Sequence, residues 1–297
     1  MSERLKAAIK QTSDAVDDVI NRLIPRSNEL ESQLYDAMRY GSLEGGKRMR
    51  PLLVLTSCEL LNVDYSCAVR AAAAVEMAHA YSLIHDDLPT MDDAKLRRGR
   101  PSLHCEFDEA TAILAGDALQ SLAFETLADQ DTHPDARIRL QLVQGLARAI
   151  GPRGMCAGQM LDLMGEKQAL DVGAVTRCQK MKTGALIMFA CETGAIMGKA
   201  SPKHTMALRN YAHDFGMAFQ MTDDLLDLMG VQQDLGKETG KDAKAGKSTF
   251  LSFISPGEAK AKAELLITQA IHHLNVFESS KVEVLRDLAQ FVIDRKN

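Results

Sequence analysis

Apolar residues recur at three- and four-residue steps along nearly the whole chain, with alanine, leucine and methionine prominent among them. This spacing is typical of amphipathic and buried α-helices, and convincing strand-length runs of alternating or β-branched residues do not occur in the sequence. Proline and glycine interrupt the pattern, for example at Pro25, Gly45-Gly46, Pro89 and Pro134. The pattern predicts an all-α protein of about ten or eleven helices. Because no linker-like tract or fixed-period repeat appears, we expect one domain over residues 1–297.

Composition narrows the possible functions. The chain has 297 residues with a formal net charge of −5, which gives no general attraction to nucleic acid or to anionic lipid. The apolar segment from Thr183 to Gly198 is too short to span a bilayer and contains Glu192, so it predicts a buried helix. The N-terminal segment lacks the apolar core of a signal peptide. Six cysteines without a C-x-x-C pair indicate reduced thiols and a cytoplasmic location.

An acidic cluster lies in the segment "IHDDLPTMDD", which contains Asp86, Asp87, Asp92 and Asp93. Like charges this close raise one another's pKa and repel, so a cation has to offset them. Asp86 and Asp92 would face different sides of an ideal helix. Pro89 ends such a helix and lets the chain turn Asp92 back toward Asp86. The segment therefore predicts a cation site at the end of a helix.

A second acidic cluster lies in "FQMTDDLLDLMG". Asp223 and Asp227 are four residues apart, which places them about 40° apart around a helix and roughly 6 Å apart along it, so both can face one ion. Asp224 falls on a neighbouring face. Oxygen ligands without an accompanying His-Cys set favour Mg²⁺ over zinc or copper, and Mg²⁺ commonly completes its shell with substrate phosphates.

Positive side chains that could contact phosphate occur in short sets beside glycines. Arginine pairs suit bidentate contact with phosphate, and glycines allow the backbone to approach closely. The sets are "GGKRMRP" with Lys47, Arg48 and Arg50, "LRRGRP" with Arg97 and Arg98, Lys182 alone, "LGKETGK" with Lys237 and "AGKSTF" with Lys247. Arg48 is interpreted as a surface charge or a structural ion pair. The remaining residues predict a site for a phosphorylated substrate.

These motifs together resemble those of the short-chain trans-isoprenyl diphosphate synthases, and among them the bacterial farnesyl diphosphate synthases. The resemblance extends from about Leu34 to Lys247 and consists of eight motifs in the family's order: "GGKRMRP", "HAYSLIHDDLPTMDDAKLRRGRP", "AILAGDAL", "GQMLDL", "KTGALI", "FQMTDDLLD", "LGKETGKD" and "GKST". It implies a helical bundle of the isoprenoid synthase type around a central cavity, with the two aspartate motifs facing each other. It also implies a homodimer, whose interface the helix pattern does not identify.

The resemblance implies a transferase reaction and a role for each motif residue. An allylic diphosphate would be held by about three Mg²⁺ ions, with Mn²⁺ as a substitute, on Asp86, Asp87, Asp92, Asp223 and Asp227. Its phosphates would contact Arg97, Lys182 and Lys237. The allylic C–O bond would ionise, the double bond of isopentenyl diphosphate would attack the cation, and a proton would pass to the departing diphosphate. Thr183 and Gln220 would stabilise the cation as neutral dipoles. Whether Asp93 or Asp224 contacts metal is left open.

Isopentenyl diphosphate would occupy a separate basic pocket without metal. The residues implied for it are Gly46, Lys47, Arg50, His79 and Arg98, with Lys247 as a further substrate contact. His79 lies seven residues before Asp86, on the same face of the predicted helix. Lys237 and Lys247 belong to a glycine- and lysine-containing segment expected to close over the diphosphate.

Product length is implied by the residues just before the first acidic cluster. In similar enzymes the positions four and five before it form the cavity floor, and here these are Ser82 and Tyr81. Five residues correspond to about 7.5 Å of helix, so a tyrosine there would stop chain growth at the C15 product. A geranyl or geranylgeranyl diphosphate synthase is the near alternative, and a catalytically silent partner subunit is the alternative from another class. We expect Asp86→Ala or Asp223→Ala to cut turnover by orders of magnitude and to leave the thermal stability of the metal-free protein equal or slightly higher, because repulsion is relieved.

Overall fold

The computed structural model describes residues 1–43, 45–229 and 249–295, and this part of the chain is almost wholly helical. The elements in chain order are α1 (Glu3–Leu23), α2 (Ser32–Ser42), α3 (Met49–Leu60), α4 (Tyr65–Asp86), β1 (Leu96–Arg97), β2 (Arg100–Pro101), α5 (Leu103–Glu106), α6 (Glu109–Ala128), α7 (Ala136–Ile150), α8 (Met155–Lys167), α9 (Val172–Gln179), a π-helix (Lys180–Gly184), α10 (Ala185–Met197), α11 (Pro202–Met229), α12 (Pro256–His273) and α13 (Glu283–Asp294), with 3₁₀ turns at Phe250–Ser252, Leu274–Val276 and Ser279–Lys281. The all-α prediction is confirmed.

Side-chain caps explain where several of these helices begin. The carboxylates of Asp64, Asp108 and Asp171 accept hydrogen bonds from backbone N–H groups in the first turns of α4, α6 and α9. The Ser255 side chain forms a reciprocal capping box with Glu258 at the start of α12. Such caps satisfy N–H groups that have no partner within the helix. The breaks that the sequence predicts between helices therefore have a local physical cause.

The core is built around α4 and α10. Helix α4 packs against α1, α3 and α6, while α10 packs against α3, α7 and α11, and α11 packs against α12. The middle of α4 is a buried run of alanines, Ala71 to Ala74, whose small side chains let the neighbouring helices approach closely. Helix α10 is buried along most of its length, which agrees with the prediction for the segment from Thr183 to Gly198.

A short antiparallel hairpin follows α4, and the hydrophobic pattern did not indicate it. Strand β1 pairs with β2 in the register Leu96 to Pro101 and Arg97 to Arg100. The two residues between the strands, Arg98 and Gly99, both have positive φ, as a tight two-residue hairpin turn requires. With only two residues per strand, the hairpin is too short to show alternation in the sequence. Within the described ranges no helix combines the length and apolar character of a membrane span.

Candidate active site

The first acidic cluster sits where α4 ends at Asp86. The chain then turns back on itself, and the Asp92 N–H donates a hydrogen bond to the Asp86 carbonyl oxygen at 2.9 Å. The backbone turn that Pro89 predicts is therefore present. Burial, reinforced by the nearby Asp92 and Asp87 carboxylates, raises the pKa of Asp86 to about 6, although Lys182 and Arg97 oppose the shift. The end of α4 thus holds carboxylates that favour proton or cation binding.

Arg97 holds the Asp87 carboxylate in a forked contact. The Arg97 Nε donates to Asp87 Oδ1 at 3.1 Å and to Oδ2 at 2.9 Å, and its Nη2 also donates to Oδ1. Asp87 is buried, so this charge-assisted pair replaces the water that the carboxylate has lost. The structure brings the two residues together as a pair. The role of Asp87 as a metal ligand and of Arg97 as a phosphate contact stays a prediction.

Lys182 lies in the π-helix and faces three carboxylates. Its Nζ donates to Asp162 Oδ2 of α8 at 2.7 Å. Burial disfavours the charged amine, but Asp162, Asp86 and Asp92 outweigh it and hold the pKa of Lys182 above its ordinary value. Gly158 makes this approach possible, because a Cβ there would lie 2.1 Å from the Lys182 backbone nitrogen. Single π-turns in helices are frequent at functional sites.

Sequence analysis did not single out Asp162, although its motif "GQMLDL" was recognised. The available signal was an acidic residue inside an otherwise apolar helix. Gln159 of the same motif is a second omission. Its side chain is 8% exposed, and neither polar atom of its amide has a hydrogen-bond partner among the described residues. A buried amide of this kind calls for a hydrogen-bond partner beyond the described residues.

Thr183 and Gln220, which were expected to act as neutral dipoles, are in contact. The Thr183 hydroxyl donates to Gln220 Oε1 at 3.3 Å, and the Gln220 Nε2 donates to Asp224 Oδ1 at 3.0 Å. Asp224 Oδ2 in turn accepts from the Phe250 N–H at 3.1 Å. Asp224 is buried, and both of its carboxylate oxygens accept hydrogen bonds from the protein. Through Gln220 and the Phe250 N–H, these bonds link the π-helix, α11 and the 3₁₀ turn at Phe250–Ser252.

The second acidic cluster lies near the end of α11 and meets the C-terminal segment. The Arg295 Nη2 lies 2.7 Å from Asp223 Oδ1. The same guanidinium donates to the Phe219 carbonyl oxygen at 2.8 Å and stacks 4.2 Å above the Phe219 ring. Asp227, one turn further along, is partly buried. Sequence analysis missed Arg295, because nothing near it in the sequence resembles a site motif.

The basic residues expected to form the second pocket surround the N-terminal end of α3 and the middle of α4. The Arg50 Nη1 lies 3.1 Å from His79 Nε2. Burial, with the positive charges of Arg50 and Arg98 next in effect, holds the pKa of His79 well below its ordinary value. The imidazole is therefore neutral at pH 7, and its Nε2 accepts from the guanidinium. Lys47 lies 5.0 Å above the Phe291 ring, and burial and Arg295 lower its pKa.

The residues expected to form the cavity floor are both buried on α4. Tyr81 is 5% exposed, with its hydroxyl 3.9 Å from Cys156 Sγ of α8 and its ring edge-on to His85 at 5.7 Å. The tyrosine therefore reaches from α4 to α8. The Ser82 hydroxyl donates to the His79 carbonyl oxygen at 2.8 Å, within its own helix. Of the two, Tyr81 has the size and position to close the space between the helices.

The charged side chains of the two acidic clusters act on the pKa of the basic residues around them. Lys182 is influenced by Asp86 and Asp92 at the end of α4, while its neighbour Thr183 is linked to α11 through Gln220. Lys47 and Arg50 are both influenced by Asp223. The π-helix thus contacts α11, which carries the second acidic cluster, and its Lys182 is influenced by the charges of the first cluster. Lys237 and Lys247 lie outside the described residues.

The donor set at these clusters is made of carboxylate oxygens, which suits a hard cation such as Mg²⁺. Among the described residues no group of three or more His, Cys, Asp or Glu side chains is arranged to hold a metal ion. Asp87 and Asp223 are instead paired with Arg97 and Arg295. The residues therefore fit an ion that takes one or two carboxylates and binds the rest of its shell from substrate and water.

Comparison with known proteins identifies a family. A sequence profile described as polyprenyl synthetase matches residues 31–288. A farnesyl diphosphate synthase of Escherichia coli (strain K12) is 43% identical over 298 residues, covering 99% of this chain and 98% of that protein. A geranylgeranyl diphosphate synthase of Cyanophora paradoxa is 38% identical over 288 residues, covering 97% and 95% respectively. The crystal structure of an FPP/GFPP synthase from Zymomonas mobilis has a TM-score of 0.89 at 43% identity, covering 99% of this chain and all of that one.

Proposed function

The chain belongs to the polyprenyl synthetase family, and on that premise we propose that it is a farnesyl diphosphate synthase. The enzyme condenses dimethylallyl diphosphate, and then geranyl diphosphate, head to tail with isopentenyl diphosphate to give the C15 product. One observation carries the proposal beyond family membership. Lys182 and Thr183 are adjacent in the π-helix: the charge of Lys182 is influenced by Asp86 and Asp92 at the end of α4, and the Thr183 hydroxyl contacts Gln220 of α11, three residues before Asp223.

The allylic diphosphate binds at this junction. Lys182 and Arg97 are partly buried cations already held beside Asp86 and Asp87, so an incoming diphosphate meets positive groups fixed in place. Lys237 is proposed to add a further cation. In binding, the phosphate oxygens compete with Asp162 for Lys182 and with Asp87 for Arg97.

Mg²⁺ fits the oxygen ligands of this site, and about three ions, each taking one or two carboxylates, are proposed to be held by Asp86, Asp87, Asp92, Asp223 and Asp227. Asp86 supports the assignment, because its raised pKa reflects burial and neighbouring carboxylates that a cation would offset. The bound ion would neutralise the charge that develops on the departing diphosphate. A metal held by Asp87 and Asp223 would compete with Arg97 and Arg295 for the same carboxylates.

The reaction breaks the bond between C1 of the allylic group and the diphosphate oxygen, and the electron pair leaves with the diphosphate. The isopentenyl double bond then supplies the electron pair for the new carbon–carbon bond, and the resulting cation loses a proton to the departed diphosphate. Thr183 and Gln220 stabilise positive charge with neutral oxygen dipoles that are weak nucleophiles. Apolar helices exclude the water that would otherwise capture the cation.

Isopentenyl diphosphate occupies the basic pocket of Gly46, Lys47, Arg50, His79 and Arg98. The Arg50 side chain donates to a neutral His79, so the pocket's positive charge comes from Lys47, Arg50 and Arg98. Lys247 is proposed as a further substrate contact. No carboxylate ligand for metal is needed there, which suits a substrate whose diphosphate remains bound to carbon throughout.

The product-length alternative has support of its own, because relatives of similar identity include a geranylgeranyl diphosphate synthase. The buried Tyr81, whose hydroxyl reaches Cys156 of α8, favours the shorter product. A silent partner subunit is disfavoured, since the aspartates and basic residues of the motifs are all present in the sequence. The proposal further includes a homodimer, one synthase domain over residues 1–297, and a cytoplasmic location, which the six free cysteines support.

The test is incubation of the purified protein with dimethylallyl and isopentenyl diphosphates and Mg²⁺, followed by chromatography of the dephosphorylated products. Farnesol as the main alcohol supports the proposal. Geranylgeraniol as the main alcohol would favour the alternative length, and no condensation product would favour the silent subunit. A parallel incubation with EDTA tests the metal, and Asp86→Asn serves as the matched inactive variant.

A further inference from the structure

Glu76 is a buried acid whose carboxylate lies behind the basic pocket. It belongs to α4, three residues before His79, and is 1% exposed. One oxygen, Oε1, accepts a hydrogen bond from the Arg48 Nη1 and lies 3.6 Å from the Arg98 Nη2. The charge of Glu76 also acts on Arg50. A single buried carboxylate therefore acts on three arginines, two at the start of α3 and one in the hairpin turn.

Arg48 and Arg98 both have unfavourable backbone conformations that other contacts must stabilise. Arg48 has φ 43° and Arg98 has φ 54°, in the left-handed region that side chains other than glycine seldom adopt. Such conformations persist where surrounding contacts hold them, and they concentrate at binding sites. The shared contact with Glu76 connects the two arginines directly. It joins the turn that carries Lys47 to the hairpin that carries Arg98.

Arg98 is held from its other side by the glycine turn. Its Nη1 donates to the Gly45 carbonyl oxygen at 3.0 Å. Gly46 has φ 81°, and a Cβ there would lie 2.8 Å from the Arg98 Cζ, so only glycine leaves room for the guanidinium. The side chain is thus fixed between the turn and Glu76. The direction of the Arg98 side chain depends on its contacts with Gly45 and with Glu76.

Arg48 differs from Arg98 in having independent anchors. Its Nη2 donates to Asp17 Oδ1 of α1 at 2.5 Å and to the Ser42 carbonyl oxygen at 2.8 Å. The Arg48 side chain is fully buried, which excludes the interpretation of Arg48 as a surface charge and agrees with that of a structural pair. Asp17 forms an ion pair with Arg48, whereas Glu76 contacts both Arg48 and Arg98. Asp17 and Glu76 therefore provide a matched pair of carboxylates for experiment.

We propose that Glu76 is a positioning residue for isopentenyl diphosphate: it holds the Arg98 guanidinium and the Lys47 turn in the geometry that receives the diphosphate. This inference rests on the proposed function. Glu76 does not touch the substrate. Its carboxylate offsets part of the mutual repulsion of Arg48, Arg50 and Arg98 while the pocket is empty, so the cations stay gathered before the anion arrives.

The test compares Glu76→Gln with Asp17→Asn, and it measures isopentenyl diphosphate binding by calorimetry together with steady-state kinetics. Glu76→Gln keeps the side chain's shape and removes its charge. We expect Kd and KM for isopentenyl diphosphate to rise about tenfold or more, with kcat and KM for the allylic diphosphate within about twofold of the parent. Asp17→Asn should leave the Kd within about twofold. Equal Kd values for the parent and Glu76→Gln would overturn the proposal, as would an equal rise in both variants.

Glu76→Gln leaves the buried Arg48 charge without the Glu76 carboxylate, which can prevent folding. A second variant covers that case. Replacing both partners, as Glu76→Met with Arg48→Met, removes the buried pair together, which proteins often tolerate. Arg98 still loses its carboxylate, so the rise in Kd should remain, and an unchanged Kd would overturn the proposal. Failure of the proposed function gives a different result, since the parent protein itself would then neither bind isopentenyl diphosphate nor form product.

Discussion

The guanidinium of Arg295 is paired with the carboxylate of Asp223, with Nη2 and Oδ1 2.7 Å apart. The last described residue of the chain thus contacts the first aspartate of the second acidic cluster. Arg295 is largely buried, with its side chain 8% exposed, while that of Asp223 is 41% exposed. The contact supplies a counter-charge to the cluster from within the protein, and it also gives the buried guanidinium its carboxylate partner.

We therefore expect Asp223→Ala to lower the stability of the metal-free protein, contrary to the expectation from the sequence. Loss of the carboxylate leaves the Arg295 charge in a largely buried position. Solvent at Asp223 moderates the effect, so a loss of about 1 kcal/mol is expected, or roughly 1–2 °C in Tm. Thermal unfolding in EDTA measures it. In the double variant with Arg295→Met, the loss should be smaller than the sum of the two single losses, and strict additivity would argue against the pair.

Replacing Asp86 should have the opposite effect and raise the stability of the metal-free protein. The pKa of Asp86 is about 6 in the folded protein against an ordinary value of 3.8, so between these values the folded state binds more protons than the unfolded state. The contribution of Asp86 to stability is fully present below pH 3.8 and is lost as the pH rises through about 6. Asp86→Asn should remove this slope, and above pH 7 it should be more stable than the parent by at most about 3 kcal/mol, less what solvent screening removes.

The check is the free energy of unfolding of the metal-free protein, measured by urea denaturation from pH 4 to pH 8 for the parent and for Asp86→Asn. The difference between the two should grow with pH and level off above about pH 7. A constant difference across the range would assign the destabilisation to something other than titration of this carboxyl. Turnover of Asp86→Asn should fall by orders of magnitude, since the variant lacks a proposed ligand for Mg²⁺.

Tyr81 should set the length of the product. Its ring lies between α4 and α8, with the hydroxyl 3.9 Å from Cys156 Sγ, and removing it opens space at the proposed cavity floor. Tyr81→Ala should shift the main product from C15 to C20 or longer, measured by chromatography of the dephosphorylated alcohols. Tyr81→Phe keeps the ring and should keep the C15 product. An unchanged distribution in Tyr81→Ala, in protein shown to be folded, would remove Tyr81 from this role.

Asp162 should matter for catalysis although sequence analysis passed over it. Its carboxylate receives the Lys182 Nζ at 2.7 Å and helps keep that amine charged in a buried position. Asp162→Asn should lower kcat/KM for the allylic diphosphate on the order of tenfold, because the Lys182 amine loses its orienting partner. The control is Asp14→Asn, which breaks an exposed Lys–Asp pair of the same length on α1. Equal kinetics for both variants and the parent would contradict the assignment.

Several features of this protein were determined by short-range sequence alone. The three- and four-residue apolar period determines the helices, because burying one face of a helix depends on residues that are neighbours in sequence. Pro89 determines that α4 stops and turns, since proline cannot continue the hydrogen-bond ladder. The spacing of the aspartates and basic residues carried the resemblance, which the family match and near-full-length relatives confirm.

The partners of the charged side chains were decided only by the tertiary structure. Asp87 pairs with Arg97, ten residues away in sequence. Lys182 pairs with Asp162 of another helix, and Asp223 pairs with Arg295 near the end of the chain. Each choice follows from which segments of the chain the fold packs together. The sequence shows that the charges exist, but a buried charge pairs with whichever opposite charge the packing brings within reach.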